Sequence, residues 1–201
     1  AARMFFSRKG TKVNLVAGFP WFGRWGRDTF ISLPGLCIAL DDWRMFRLAI
    51  DTMLEDFKDG FFPNIGEGTQ AAYNSIDAPL WFFWALQQYA YINDARKEVW
   101  QAYNGVMRSI LENFSEGTSN VRMDSNFLLW QGEDGKALTW MDAIVNGQPV
   151  TQRKGYAVEI NALWYNAVMF YRELAKLQCQ DGEIAKWDEF AANFPTNFKA
   201  T

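Results

Sequence analysis

Hydrophobic positions along the chain follow two patterns, and the two alternate. From 28 to 40 the runs Phe30-Ile31-Ser32-Leu33 and Leu36-Cys37-Ile38-Ala39-Leu40 are apolar nearly all round. From 42 to 57, Trp43, Phe46, Ile50, Met53, Leu54 and Phe57 recur in steps of three and four, which gathers them on one helical stripe. The segment 77–92 is apolar on every face through Leu80-Trp81-Phe82-Phe83-Trp84 and Leu86. The segment 95–114 returns to a stripe of Val99, Tyr103, Val106, Ile110 and Phe114. The segment 158–177 is again apolar all round, and 183–194 carries Ile184, Trp187, Ala191 and Phe194 on one face. A helix apolar on all sides must be buried, whereas a striped helix lies at a surface. The order inner, outer, inner, outer, inner, outer therefore predicts three αα-hairpins in two layers, an all-α architecture.

Two small hairpins are expected beside the helices. One pairs Met4-Phe5-Phe6 with Val13-Asn14-Leu15-Val16 around Lys9-Gly10, and the other joins Val121-Arg122-Met123-Asp124 to Phe127-Leu128-Leu129-Trp130. Links from inner to outer helices are short: Asp41, Asn93-Asp94 and Gln180-Asp181-Gly182. Links back from outer to inner are long, roughly 58–76 and 115–155. The long loops thus gather on one rim, above the N-termini of the inner helices, where binding and catalysis tend to sit. Three hairpins leave two apolar edges uncovered. The expectation is a single partial domain over 1–201, completed by a missing C-terminal half or by a second chain.

Composition narrows the chemistry. The chain has no histidine, which removes His-based triads, proton shuttles and most zinc or iron sites. A net charge of -3 without any Lys/Arg run argues against nucleic acid, and no stretch of eighteen apolar residues suggests a membrane span. Cys37 and Cys179 fall in apolar-looking helical segments and read as buried thiols, which suits the cytoplasm. No metal and no cofactor are called for. Ten tryptophans remain, offering either a large core or flat ring surfaces for a ligand with apolar faces, such as a sugar.

Carboxylates must then carry any catalysis, and they stand beside aromatics on the predicted rim. Gly18-Phe19-Pro20-Trp21-Phe22-Gly23-Arg24-Trp25-Gly26-Arg27-Asp28-Thr29 places Trp25, Arg27 and Asp28 just before a buried helix. An indole wall with Arg27 and Asp28 gripping hydroxyls is one reading; Asp28 as helix cap with Arg27 as its surface partner is the other. Tyr73-Asn74-Ser75-Ile76-Asp77-Ala78-Pro79 repeats the device, with Asp77 as cap or as pocket residue beside Glu67, Tyr73 and Asn74. In Leu138-Thr139-Trp140-Met141-Asp142-Ala143, Asp142 stands beside Trp140 in an otherwise apolar run. Such a setting can keep a carboxyl protonated, although a loop Asp is as often held by backbone amides. Glu159 opens an inner helix and could bind a hydroxyl, act as a base, or pair with Arg153. Glycoside hydrolysis needs one protonated carboxyl and one carboxylate astride the scissile bond. A non-catalytic glucan-binding domain would need only the aromatics.

Four blocks give the chain a resemblance: Pro20-Trp21-Phe22-Gly23 with Trp25-Gly26-Arg27-Asp28-Thr29, Tyr73-Asn74-Ser75-Ile76-Asp77-Ala78, Thr139-Trp140-Met141-Asp142, and Val158-Glu159-Ile160-Asn161-Ala162-Leu163-Trp164-Tyr165-Asn166-Ala167. In this order they resemble the glucosidase domain of glycogen-debranching enzymes, the amylo-α-1,6-glucosidase family. The resemblance implies an (α/α)6 toroid, of which this chain supplies half. It implies inverting hydrolysis of the α-1,6-linked glucose left at a trimmed glycogen branch, with a branched α-glucan as partner molecule. It implies Asp142 as general acid, Arg27 and Asp28 as grips on the terminal glucose, and Trp25, Asp77, Trp140, Arg153 and Glu159 around the pocket. The family's base is expected beyond residue 201. Thr151-Gln152-Arg153, Tyr156-Ala157 and Pro79 depart from the family pattern. A toroidal glycosidase of other specificity, glucoamylase-like or trehalase-like, remains an alternative.

Overall fold

A computed structural model describes residues 1–201, and the chain is mostly helical. Helices α1 (Gly26–Leu40), α3 (Ala78–Ile92) and α5 (Val158–Leu177) stand side by side as an inner row, α3 in the middle. Helix α2 (Trp43–Leu54) covers α1, and α4 (Arg96–Glu116) covers α3 and α5. Two shorter helices, α6 (Asp181–Ala185) and α7 (Asp188–Ala200), cover α5. The alternation read from hydrophobicity is the alternation of layers. A continuous cluster of 42 buried residues runs through all three hairpins, so they share one core rather than three. The row stays open: α1 and α5 are its flanks, and Ile38 on α1 is 52% exposed. A closed toroid is not formed by these residues.

Helix ends follow from local chemistry. Asp41 and Asp94 take left-handed conformations at the tight links that reverse the chain. Asp42 caps α2 by accepting the Met45 N–H at 3.1 Å. Helix α2 ends at Leu54, short of the expected 57, and Phe57 turns in to meet Phe62 at 4.9 Å between ring centroids. The hydrophobic pattern predicts one helix over 183–194 for the last outer segment. It is two, broken at Lys186-Trp187, where Trp187 turns edge-on to Trp164 at 5.7 Å. Cys37 is buried as expected, but Cys179 is exposed, because it sits in the turn after α5 rather than within a helix.

Three two-stranded ribbons complete the chain. Strands β1 (Phe6–Lys9) and β2 (Lys12–Leu15) form the first hairpin, and β3 (Val121–Met123) pairs with β4 (Leu129–Gln131) in the second. A third, β5 (Ile144–Val145) with β6 (Gln148–Pro149), lies within the last long loop, where the sequence pattern predicts no strand. No helix is long and apolar enough to cross a membrane.

Candidate active site

The loop before α1 is held from both sides. Val16 bridges to Arg24, and the Ala17 N–H donates to the Gly23 carbonyl at 3.0 Å. Arg24 reaches across to the Asp56 carboxylate and donates to the Gly66 carbonyl at 2.9 Å. At Gly26 the first long loop comes closer than any side chain permits. A Cβ there would stand 2.3 Å from the Pro63 carbonyl oxygen, and the Gly26 N–H donates to Asn64 at 2.9 Å. Helix α1 thus starts at Gly26 with Trp25 as its N-cap residue, so Asp28 lies inside the first turn and is not the cap.

That same loop delivers Asp77. Arg27 donates to both of its oxygens, Nε to Oδ2 at 2.6 Å and Nη2 to Oδ1 at 3.0 Å. Both residues are buried, so neither fits the surface-pair or plain-cap readings. The helix α3 is capped by Ser75 instead, whose hydroxyl accepts the Ala78 N–H at 3.2 Å and donates to Asp77. Ser75 stands two residues before Asp77, the N-cap position, which is not the usual capping offset, and the Asp beside the helix masks it in the sequence. Pro79 sits in the first turn as expected.

The third region is stitched on by backbone. The Ile76 N–H donates to the Leu138 carbonyl at 2.9 Å, and Ala137, Leu138 and Thr139 are buried. The chain then surfaces: Trp140 is 54% exposed, and the Asp142 side chain 30% exposed. Asp142 returns to Arg27, whose Nη1 donates to its Oδ2 at 2.9 Å. Asp142 thus keeps aromatic neighbours but is neither buried nor in wholly apolar surroundings. The apolar part of its run is spent in the core, and its neighbour is a guanidinium.

Trp25, Arg27, Asp28, Trp140 and Asp142, with Ala17 and Phe22, line one pocket of about 400 Å³ at the rim. A larger cavity of about 620 Å³ lies toward the other end of the helices, between Gln87 and Tyr91 of α3 and Asn166 and Met169 of α5. It lacks the indoles, and its Glu173 is already bonded to Tyr91. The smaller pocket combines carboxylates, a guanidinium and indole faces, which is the set a sugar requires.

Charge is graded across this pocket. Burial pushes the Asp28 carboxyl above its ordinary value against the pull of Arg27, and the negative charges of Asp142 and Asp77 add to the rise. Burial alone would lower Arg27, but its bonds and charge pairing with Asp77 and Asp142 outweigh that and raise it. Arg27 is a fixed cation, and Asp77 sits beneath it rather than in the pocket wall.

Arg153 and Glu159 form a separate pair. Both guanidinium Nη atoms bond the Glu159 carboxylate, Nη2 to Oε2 at 2.7 Å. Burial opposes the charge on Glu159, but Arg153, the Glu159 backbone and the Trp140 indole bring its pKa below the usual value. Glu159 does not line the rim pocket. Asn161, two residues further along α5, fixes this corner: its Oδ1 accepts the Leu129 N–H at 2.7 Å and its Nδ2 donates to the Leu129 carbonyl at 3.1 Å. A buried side-chain amide closing a strand edge leaves no local sequence signal beyond the polar residue in an apolar run.

Comparison with known proteins bears on this geometry. A family model described as amylo-alpha-1,6-glucosidase matches residues 1–201. The chain is similar to the glycogen debranching enzyme of Saccharomyces cerevisiae (strain ATCC 204508 / S288c), 24% identical over 255 aligned positions. That alignment covers 92% of this chain and 17% of the yeast enzyme, so the chain spans about a sixth of that relative's length.

Proposed function

Because the chain belongs to the amylo-alpha-1,6-glucosidase family, we propose that its rim pocket takes the terminal glucose of an α-1,6 branch stub on glycogen or a related α-glucan and serves its hydrolysis. The observation that carries this reading is the 2.9 Å bond between Arg27 and Asp142. It joins residues 115 positions apart in sequence at a pocket walled by Trp25, Phe22 and Trp140.

In this reading Trp25 and Trp140 stack on the apolar faces of the sugar, while Arg27 and Asp28 hold its hydroxyls. Asp77 and Ser75 act one step back by fixing the guanidinium. Asp142 is the general acid: freed from Arg27, its carboxylate takes up a proton from solvent, and that proton passes to the glycosidic oxygen as the bond to C1 breaks. Sugar hydroxyls drawing on Arg27 release Asp142 for that task. A second carboxylate takes a proton from water as the water attacks C1 from the opposite face, inverting the centre. Inversion sets the two carboxyls roughly 6.5 to 9.5 Å apart. Glu159, engaged by both Nη atoms of Arg153, stands outside the pocket here, and the base is assigned to chain beyond these residues or to a second copy. The cytoplasm is the compartment in which such a substrate would be met.

Glucose release from a phosphorylase-trimmed branched glucan tests the proposal, measured on the protein extended to carry the second carboxylate, with maltotriose and trehalose as competing substrates and Asp142→Asn alongside. The expected result is release from the α-1,6 stubs, reduced about a thousandfold in Asp142→Asn. Preference for maltotriose or trehalose would transfer the site to another toroidal glycosidase type. A fully active Asp142→Asn protein would remove Asp142 from the acid role.

A further inference from the structure

The loop that carries Phe22 into the pocket also carries apolar surface out of it. Trp21 is 84% exposed, Phe19 54% and Phe22 58%, so three aromatic rings share one five-residue tip. Isolated exposed apolar residues are normal on a protein surface, but a contiguous aromatic group marks a contact site. This tip is also built to stay in place. The N–H groups of Trp21 and Phe22 both donate to the Gly18 carbonyl, at 2.7 and 2.9 Å. Phe22 lies over Gly18 so closely that a Cβ there would be 2.8 Å from its ring. Phe22 in turn meets Trp25 edge to face, with ring centroids 6.4 Å apart. Below the tip, the Val16–Arg24 bridge and the bonds of Arg24 to Asp56 and Gly66 close the loop.

The rings therefore form a fixed outcrop continuous with the pocket wall, and its outermost member, Trp21, takes no part in lining the pocket. A fixed, flat and uncharged platform suits a ligand with repeated apolar faces and no charge. An α-glucan chain is such a ligand, since each glucose unit presents C–H faces that stack on an indole. We propose that Trp21, supported by Phe19, is an accessory stacking site for the glucan arm that bears the branch, separate from the pocket that takes the terminal glucose. The inference rests on the glucan reading of the pocket. It adds that preference for a polymer over a small substrate resides in this outcrop. Because its position is set before any ligand arrives, little ordering entropy is lost on binding.

Two probes separate the two sites. Phosphorylase-trimmed glycogen, cast into native gels, reports polymer affinity through retardation of the migrating chain. The hexose-sized 1-deoxynojirimycin, titrated calorimetrically, reports the pocket. Trp21→Ala is expected to weaken polymer affinity about fivefold and leave the Kd of the small probe unchanged, with Trp21→Tyr retaining most of the polymer affinity. The exposure of Trp21 removes folding as an explanation, and circular dichroism checks it. Unchanged polymer affinity in Trp21→Ala overturns the inference, as does equal weakening of both probes, which would make Trp21 part of the pocket. A wild-type chain retarded through Trp21 but indifferent to the small probe would keep the platform and overturn the pocket reading. A wild-type chain that binds neither overturns both.

Discussion

Arg27 holds two carboxylates at once, and the difference between them separates support from chemistry. Asp77 is buried and meets Arg27 with both oxygens, so its bonding is fully committed; Asp142 meets it with one oxygen and keeps 30% of its side chain in solvent. Asp28 is the third carboxylate in this field, and its charge is the least well compensated. With its pKa above the ordinary 3.8, the folded chain binds a proton that the unfolded chain has already released. Unfolding then loses a proton as pH rises through that window, so stability falls across it and stays lower at neutral pH. Asp28→Asn removes this cost. The variant is expected to melt above the wild type by a few degrees at about pH 7, with the difference closing below about pH 3.5. Thermal scans across that range check it, and a variant that melts lower at neutral pH would show that Asp28 is stabilised as a carboxylate. The same variant should bind a terminal hexose less well, the familiar exchange of stability for a working site.

At the scale of elements, the site depends on loops pressed against the N-termini of the inner helices, and Gly26 is the tightest of those contacts. An alanine there would set a methyl carbon 2.3 Å from the Pro63 carbonyl, and the backbone of the 55–77 connection must retreat. Gly26→Ala is expected to cost about 1–3 kcal/mol and to weaken hexose binding, because that connection also brings Asp77 to Arg27. Gly23, with nothing within 4 Å of its virtual Cβ, is the matched control and should shift the urea midpoint little. Equal midpoints for the two variants would mean the loop yields freely. The inner and outer helices were legible because burial on all sides and burial on one side leave different patterns. The ribbon β5–β6 was not, since strands of two residues carry no alternation. Its turn was readable all the same: Asn146-Gly147 has positive φ at both residues, 50° and 74°, which the Asn-Gly pair favours. The carboxylates of the site were legible as residues, and their roles as caps were not. The start of α1 at Gly26 puts Asp28 inside the first turn, and Asp77, at the N-cap position of α3, gives both oxygens to Arg27, so neither carboxylate serves as a cap.

At the scale of the molecule, one core serves all three hairpins while the pocket occupies a single rim, so stability and binding can be separated by position. Trp164 is the clearest case. It is wholly buried on α5 and packs against Phe114 of α4 at 6.3 Å, Trp187 at 5.7 Å and Phe190 of α7 at 5.8 Å, joining one inner and two outer elements. Trp164→Ala is expected to cost about 3–5 kcal/mol through lost packing and the cavity left behind. The continuity of the buried cluster predicts that this loss is felt everywhere at once. Far-UV ellipticity and tryptophan emission, which includes the rim indoles Trp25 and Trp140, should then fall together at a lower urea midpoint. Trp164 does not line the pocket and its ring partners are all core aromatics, so the folded variant should bind a terminal hexose within about twofold of the wild type. If the alanine variant does not fold, Trp164→Phe keeps a ring in the cavity and the same comparison applies. Two resolved transitions would mean that the hairpins unfold as separate units. The rim would then be held by its own loop contacts, the bonds from Gly26, Ile76 and Asn161, and not by the shared core beneath them.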